Sequence, residues 1–138
     1  MKYYLSSFKM GKKTKKLKRM LPANKRTAYI PNALDYSDDL ERRKKSDKQN
    51  MAQLRAVGLK PEILDLRQYF GRTKRLEKKL SKFGVIWIRG GNTFVLRQAM
   101  RLSGFDKIFK KLRKKKDMLY GGIAPEFASW LLACMVSS

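Results

Sequence analysis

Two glycines in the middle of the chain could present backbone amides to a negatively charged group. Val85–Ile88 is a short apolar run rich in β-branched and aromatic residues, which predicts a buried strand. Gly90 and Gly91 follow it, and Asn92 is a good N-cap for the next helix. A helix N-terminus behind such a turn can bind an anion or an oxyanion. A tight turn that binds nothing explains the same residues, so both interpretations stay open.

The elements that must position this loop are strands alternating with helices. We expect strands over Tyr3–Leu5, Thr27–Ile30, Glu62–Leu66, Val85–Ile88 and Met118–Tyr120. We expect helices over about Thr14–Met20, from an Asp38–Glu41 capping box to Val57, over Thr73–Lys82, from Asn92 to Leu102, and over Phe105–Leu112. This alternation predicts an α/β fold with a doubly wound, mainly parallel, Rossmann-like sheet.

Helical spacing predicts which side chains face the core. The second helix should bury Leu40, Met51, Leu54 and Val57 and stop at Gly58. The helix after Asn92 should bury Phe94, Val95, Ala99 and Leu102, and the neighbouring helices Leu76, Leu80, Phe83, Phe105, Ile108, Phe109 and Leu112.

Ligands bind at the carboxyl ends of the strands in such a sheet. The loops expected at that edge are Ser6-Ser7, Pro31-Asn32, Arg89–Thr93 and the chain from Gly121 onward. The second glycine pair, Gly121-Gly122, should therefore lie at the same edge as the first.

The charge allows a second class of function. The chain has 138 residues with 34 Lys and Arg against 11 Asp and Glu, a formal net charge of +23. The runs Lys12–Lys18 and Lys110–Lys116 are typical of solvated helix faces, but they also permit a nucleic-acid or other polyanion partner. No recognisable nucleic-acid-binding motif accompanies them.

The residues that several kinds of catalytic and metal-binding site require are absent from the sequence. There is no histidine and only one cysteine, Cys134, which excludes Ser-His and Cys-His pairs and the usual zinc sites. A Ser-Lys pair stays open, and Asp35, Asp38 and Asp39 fit a helix cap and turn better than a cation site. We expect no cofactor and no metal. The N-terminus lacks a signal-peptide pattern and Trp130–Val136 is too short to cross a bilayer, so we expect a cytoplasmic protein.

Four segments together resemble the peptidase E family. They are YLSSF near the start, AYIPNAL, WIRGGNTFVLRQAM, and a strand ending in YGG, spanning about Lys2–Gly122. The resemblance is to serine exopeptidases related to cyanophycinase, with a fold similar to class I glutamine amidotransferases. It implies an oxyanion and substrate loop at Gly90, Gly91, Asn92 and Thr93, and a small peptide substrate such as an Asp-Xaa dipeptide.

The family's nucleophile is the serine of a sharp G-x-S-A-G turn, assisted by a histidine. Here the aligned segment is Gly122-Ile123-Ala124-Pro125-Glu126, so that Ala124 stands at the nucleophile position. We therefore expect a partial peptidase E-like domain over residues 1–122, a divergent tail over 123–138, and no hydrolysis. A truncated or frame-shifted copy, or a deliberate truncation, would explain this ending. Strands missing from the sheet edge would then favour self-association.

Overall fold

The computed structural model describes residues 2–5, 19, 21–32, 39–89, 93–112, 114–115 and 117–122, with the backbone alone for 2–5 and 93. Its strands are β1 (Lys2–Leu5), β2 (Arg26–Ile30), β3 (Lys60–Ile63), β4 (Val85–Ile88) and β5 (Leu119–Gly122). Its helices are α1 (Leu40–Ala56), α2 (Thr73–Leu80), α3 (Thr93–Ser103) and α4 (Phe105–Leu112), with a 3₁₀ helix at Leu66–Tyr69. The helix expected at Thr14–Met20 lies outside the described residues except for Arg19.

The strands form one parallel sheet in the order β1-β5-β4-β2-β3. This confirms the predicted α/β fold, with Val85–Ile88 at the centre of the sheet. Side chains alternate along β4, so that Val85 and Trp87 face α1 while Ile86 and Ile88 face α2, α3 and α4. A strand covered on both faces is apolar throughout, as the sequence VIWI is.

Most of the predicted core is confirmed. Leu76 and Leu80 of α2 are fully buried, as are Trp87 and Tyr29 in the strands. The apolar face of α4 is buried as predicted. Gly58 follows the end of α1 with a φ of 103°, as expected for a glycine that stops a helix.

Two predictions about buried helix faces are wrong. Leu40 is the first residue of α1 and is exposed. Helix α1 meets the core near its other end, where Leu54 is buried, so its first turn is not covered. In α3 the side chains of Phe94 and Leu102 are exposed, while the buried residues are Leu96, Ala99, Met100 and Ser103. The sequence carries two apolar stripes on α3, and packing against the 3₁₀ helix and α4 selects the second.

Two boundaries also differ from expectation. β3 ends at Ile63 instead of Leu66, because Asp65 caps the 3₁₀ helix by accepting a hydrogen bond from the Arg67 amide. The N-cap of α1 is Asp39, which accepts from the Arg42 amide at 3.1 Å. The expected cap Asp38 lies outside the described residues.

Within the part of the chain that the structure describes, the helices are too short or too polar to span a bilayer.

Candidate active site

The carboxyl ends of β2 and β4 lie side by side but lead to opposite faces of the sheet. Ile30 pairs with Ile88 in the parallel register. After β2 the chain continues to α1, which packs through Leu54 on one face, whereas after β4 it enters α3 on the other face. Open α/β sheets bind ligands at such a divergence. We therefore place the candidate active site at this divergence and call it the β2–β4 crevice.

The predicted site residues lie mostly beyond the described ranges. Gly90, Gly91 and Asn92 fall outside them, as do Ala124 and the whole of 123–138. Thr93 is the first residue of α3, and its backbone is described. A helix thus begins at the residue that follows Asn92, and an anion-binding helix N-terminus requires a helix that starts there. The contribution of each of these residues to binding stays a prediction.

The second glycine pair, Gly121-Gly122, ends β5 beside the carboxyl end of β4. Gly122 pairs with Ile88 of β4 and with Leu5 of β1. A Cβ on Gly122 would stand 2.7 Å from the carbonyl oxygen of Ile88, so a side chain would force the strands apart. Glycine at this position lets the chain leave β5 close beside the end of β4.

Arg89 is held in place by both its main chain and its side chain. Its amide donates to the carbonyl oxygen of Ile30 at 3.1 Å. Its Nε donates to Oδ1 of Asp47 on α1 at 2.8 Å, and its guanidinium also contacts the Ser46 hydroxyl. The side chains of Arg89 and Asp47 are only 13% and 14% exposed. Because Arg89 immediately precedes Gly90, these contacts fix the position at which the chain leaves the end of β4.

Tyr29 completes the group on the α1 side of the sheet. Its hydroxyl donates to Oδ1 of Asp47 at 2.7 Å and accepts from Nδ2 of Asn50 at 3.3 Å. Burial raises the pKa of the Tyr29 phenol far above its ordinary value, and the hydrogen bond to Asp47 and the negative charge of Asp47 raise it further. The phenol therefore stays protonated and donates to the same carboxylate that binds Arg89.

Sequence reasoning missed this Tyr29–Asp47–Arg89 network. One available signal is the alternation of β4, which places Arg89 on the same face as Trp87. The other is Asp47 itself, the one acidic residue in the mainly basic run from Arg42 to Lys48 of α1. Neither signal identifies the partner, since Asp47 is 18 positions from Tyr29 and 42 from Arg89 and only the fold brings them together.

A second polar contact ties the loop after β2 to the end of β3. Asn32 is fully buried, and its Nδ2 donates to Oδ1 of Asp65 at 2.8 Å while its Oδ1 accepts from the Leu66 amide at 2.9 Å. Burial raises the pKa of the Asp65 carboxyl, but hydrogen bonds from Arg67 and Asn32 outweigh it and hold that pKa below its ordinary value. Asn32, which we expected at the ligand-binding edge of the sheet, thus ties the chain after β2 to the chain after β3.

The described residues include no assembled nucleophile and base. The hydroxyl of Ser46 contacts Arg89, and those of Ser81 and Ser103 donate to main-chain carbonyls of Lys78 and Met100, so none of these is paired with a lysine amine. Among the same residues no cluster of carboxylates and thiols could hold a metal ion. Among the described residues, this region supplies positioned polar side chains and strand ends but not an assembled catalytic pair.

Comparison with known proteins identifies the family. The sequence model described as peptidase family S51 matches residues 5–124, which contain β2 to β5, most of the helical layers and the glycine loop. The chain belongs to peptidase family S51. This confirms the resemblance to peptidase E on the residues that carry it. The comparison with curated proteins finds no match.

Two crystal structures share the fold seen here. One is of a protein provisionally named peptidase E from Listeria monocytogenes EGD-e, with a TM-score of 0.65 and 24% identity over 87% of this chain and 56% of that one. The other is of a peptidase from an acI-B1 Actinobacterium, with a TM-score of 0.65 and 12% identity over 87% of this chain and 52% of that one. The chain thus spans little more than half the length of these two proteins.

Proposed function

We propose that this S51 chain is a peptidase E-type fold that binds small peptides at the β2–β4 crevice without hydrolysing them. The observation that carries the proposal is the position of Arg89, which is fixed at the end of β4 directly before Gly90 and Gly91. Amides of that loop, at the start of α3, would bind a carboxylate or a carbonyl oxygen of the peptide. Asn92 and Thr93 would complete this oxyanion and substrate loop.

The substrate class follows from the family resemblance. Peptidase E enzymes include serine-type dipeptidases that remove an N-terminal aspartate, so an Asp-Xaa dipeptide is the proposed ligand. The high positive charge of this chain, +23, would favour an acidic ligand over a neutral one at low ionic strength. The S51 match and the shared fold support the peptidase relationship, and the ligand itself is our inference.

The absence of turnover follows from the residues that a serine peptidase needs. Ala124 has no hydroxyl to attack a carbonyl carbon, and a chain without histidine has no imidazole to accept the proton. Pro125 also lacks an N–H for the oxyanion at the position after the nucleophile. In this proposal residues 1–122 form the peptidase-like domain, and 123–138 form a divergent tail that does not complete the active site.

The test separates binding from hydrolysis. The purified chain is titrated with Asp-Leu and, as a control, with Leu-Asp, while binding is followed by NMR chemical shifts and products by chromatography. We expect shifts with Asp-Leu, weaker shifts with Leu-Asp, and no products. Gly91→Pro should abolish the Asp-Leu shifts, because it removes an amide and distorts the loop. Equal shifts with both dipeptides, or cleavage that Gly91→Pro abolishes, would overturn the proposal.

A further inference from the structure

The connection between β3 and β4 forms an open cleft outside the candidate active site. Its volume is about 750 Å³. Its lining residues come from the 3₁₀ helix, the turn after it, α2 and the turn that follows α2. Among the described residues, none of those that line the cleft belongs to β4, β5 or α3. The lining includes six basic side chains: Arg67, Arg72, Arg75, Lys78, Lys79 and Lys82.

Helical spacing puts most of these cations on one face. Arg75, Lys78 and Lys79 follow the i, i+3, i+4 pattern of a single helix face, and Lys82 lies in the turn just after α2. The buried side of α2, which includes Leu76 and Leu80, faces the sheet instead. Glu77 points away from the cleft, where its carboxylate contacts Lys111 of α4 at 3.3 Å. The cleft face of α2 is therefore uniformly positive.

Only part of this charge is neutralised within the protein. Arg67 binds Asp65 at 2.9 Å, and Lys79 binds Glu62 at 3.0 Å. The side chains of Arg72, Arg75, Lys78 and Lys82 have no carboxylate within ion-pair distance among the described residues. Like charges one helical turn apart repel each other, and a polyanion in the cleft would relieve that repulsion.

Two aromatic side chains line the same cleft. Phe70 is 38% exposed, and Tyr69 is half-buried against the hydrophobic core, which holds its ring in place. An exposed aromatic ring beside unpaired cations is the combination found where single-stranded nucleic acid binds: cations contact phosphates and rings stack on bases. Phosphate binding alone does not account for the exposed ring of Phe70 in this cleft.

We propose that this cleft is a binding site for single-stranded nucleic acid, without sequence preference. Arg72, Arg75 and Lys78 contact successive phosphates, and Phe70 stacks on a base. This proposal is independent of the peptide site, and it places the interaction on α2 instead of the longer lysine runs at 12–18 and 110–116. The sequence does not make α2 stand out, since its cations are interrupted by the leucines that anchor it.

The test compares two triple variants of equal charge. One replaces Arg72, Arg75 and Lys78 by Gln, and the other replaces the exposed Lys107, Lys114 and Lys115 of the α4 region by Gln. Binding of a fluorescent oligothymidylate of about 20 nucleotides is measured by anisotropy over a range of salt concentrations. The cleft variant should bind at least about tenfold more weakly, with a salt slope reduced by about 2, since each lost phosphate contact accounts for about 0.7. The α4 variant should lose less than about threefold.

Single variants of Phe70 test the stacking contact. Phe70→Ala should weaken binding by roughly tenfold, whereas Phe70→Tyr keeps a ring and should bind like the original chain. Equal losses in the two triple variants, no effect of Phe70→Ala, or no binding at all would overturn the proposal. Cleft-dependent binding to vesicles with anionic lipids, with none to the oligonucleotide, would also overturn it and assign the cleft to a membrane surface.

Discussion

Arg89 and Asp47 form a nearly buried salt bridge that joins the end of the central strand to α1, with 2.8 Å between Nε and Oδ1. Tyr29 donates to the same carboxylate oxygen from the neighbouring strand. The three residues together link β2, β4 and α1 at the crevice where we place the candidate site.

Removing the carboxylate should leave the Arg89 charge buried without its partner. We expect Asp47→Ala to lower the free energy of unfolding by about 3 kcal/mol. The control is Glu77→Ala, which breaks an exposed ion pair with Lys111 and should cost no more than about 0.5 kcal/mol. Urea denaturation followed by circular dichroism measures both. Similar losses in the two variants would contradict the assigned role of Asp47.

The raised pKa of Tyr29 should make stability depend on alkaline pH. Above about pH 10 a tyrosine in the unfolded chain loses its proton, while the folded chain keeps the proton on Tyr29. The unfolded state then binds fewer protons, so stability falls as the pH rises, by up to about 1.4 kcal/mol per unit.

Tyr29→Phe isolates this effect from the many lysines that titrate in the same range. The variant should be less stable at neutral pH because it loses the hydrogen bond to Asp47. The difference in unfolding free energy between the two proteins should then shrink above about pH 10. Stability curves that stay parallel up to about pH 11 would show that Tyr29 titrates normally.

Restoring a hydroxyl at the nucleophile position should not restore hydrolysis. Ala124→Ser supplies an oxygen but no imidazole, and Pro125 still follows it. We expect the cleavage of Asp-Xaa dipeptides by this variant to equal that of the original chain and of buffer. Appearance of free aspartate in the variant reaction alone would show that another group, such as a lysine, accepts the proton.

The two edges of the sheet should differ in their tendency to associate. β3 forms one edge and carries Lys60, Pro61 and Glu62, which discourage pairing with another strand. β1 forms the other edge, and within the described residues it pairs only with β5. We therefore expect the chain to self-associate through β1.

Light scattering at moderate salt should show a mass that rises with protein concentration. Ile63→Lys on the β3 edge is the control, and it should leave the association unchanged. Association abolished by Ile63→Lys would assign the interface to β3 instead. A single monomer mass at high concentration would disprove the association.

The sequence by itself determined the strands of the sheet and much of its core. Val85–Ile88 is a continuous apolar run, and such a run in an alternating pattern of strands and helices is buried on both faces of a parallel sheet. The four segments that resemble peptidase E, with the glycine motif at Gly90 and Gly91 among them, indicated the family that the sequence match then confirmed. Both are local properties, encoded by neighbouring residues.

Only the tertiary structure decided which of two apolar stripes α3 buries, and which residues meet at the end of β4. Phe94 and Leu102 satisfy the helical period as well as Leu96 and Met100 do, and the choice depends on the shape of the adjoining surface. Likewise, Asp47 and Arg89 are 42 positions apart in the sequence, and no local pattern pairs them. Their contact exists because a parallel sheet brings the end of β4 beneath α1, where a buried charge requires a partner.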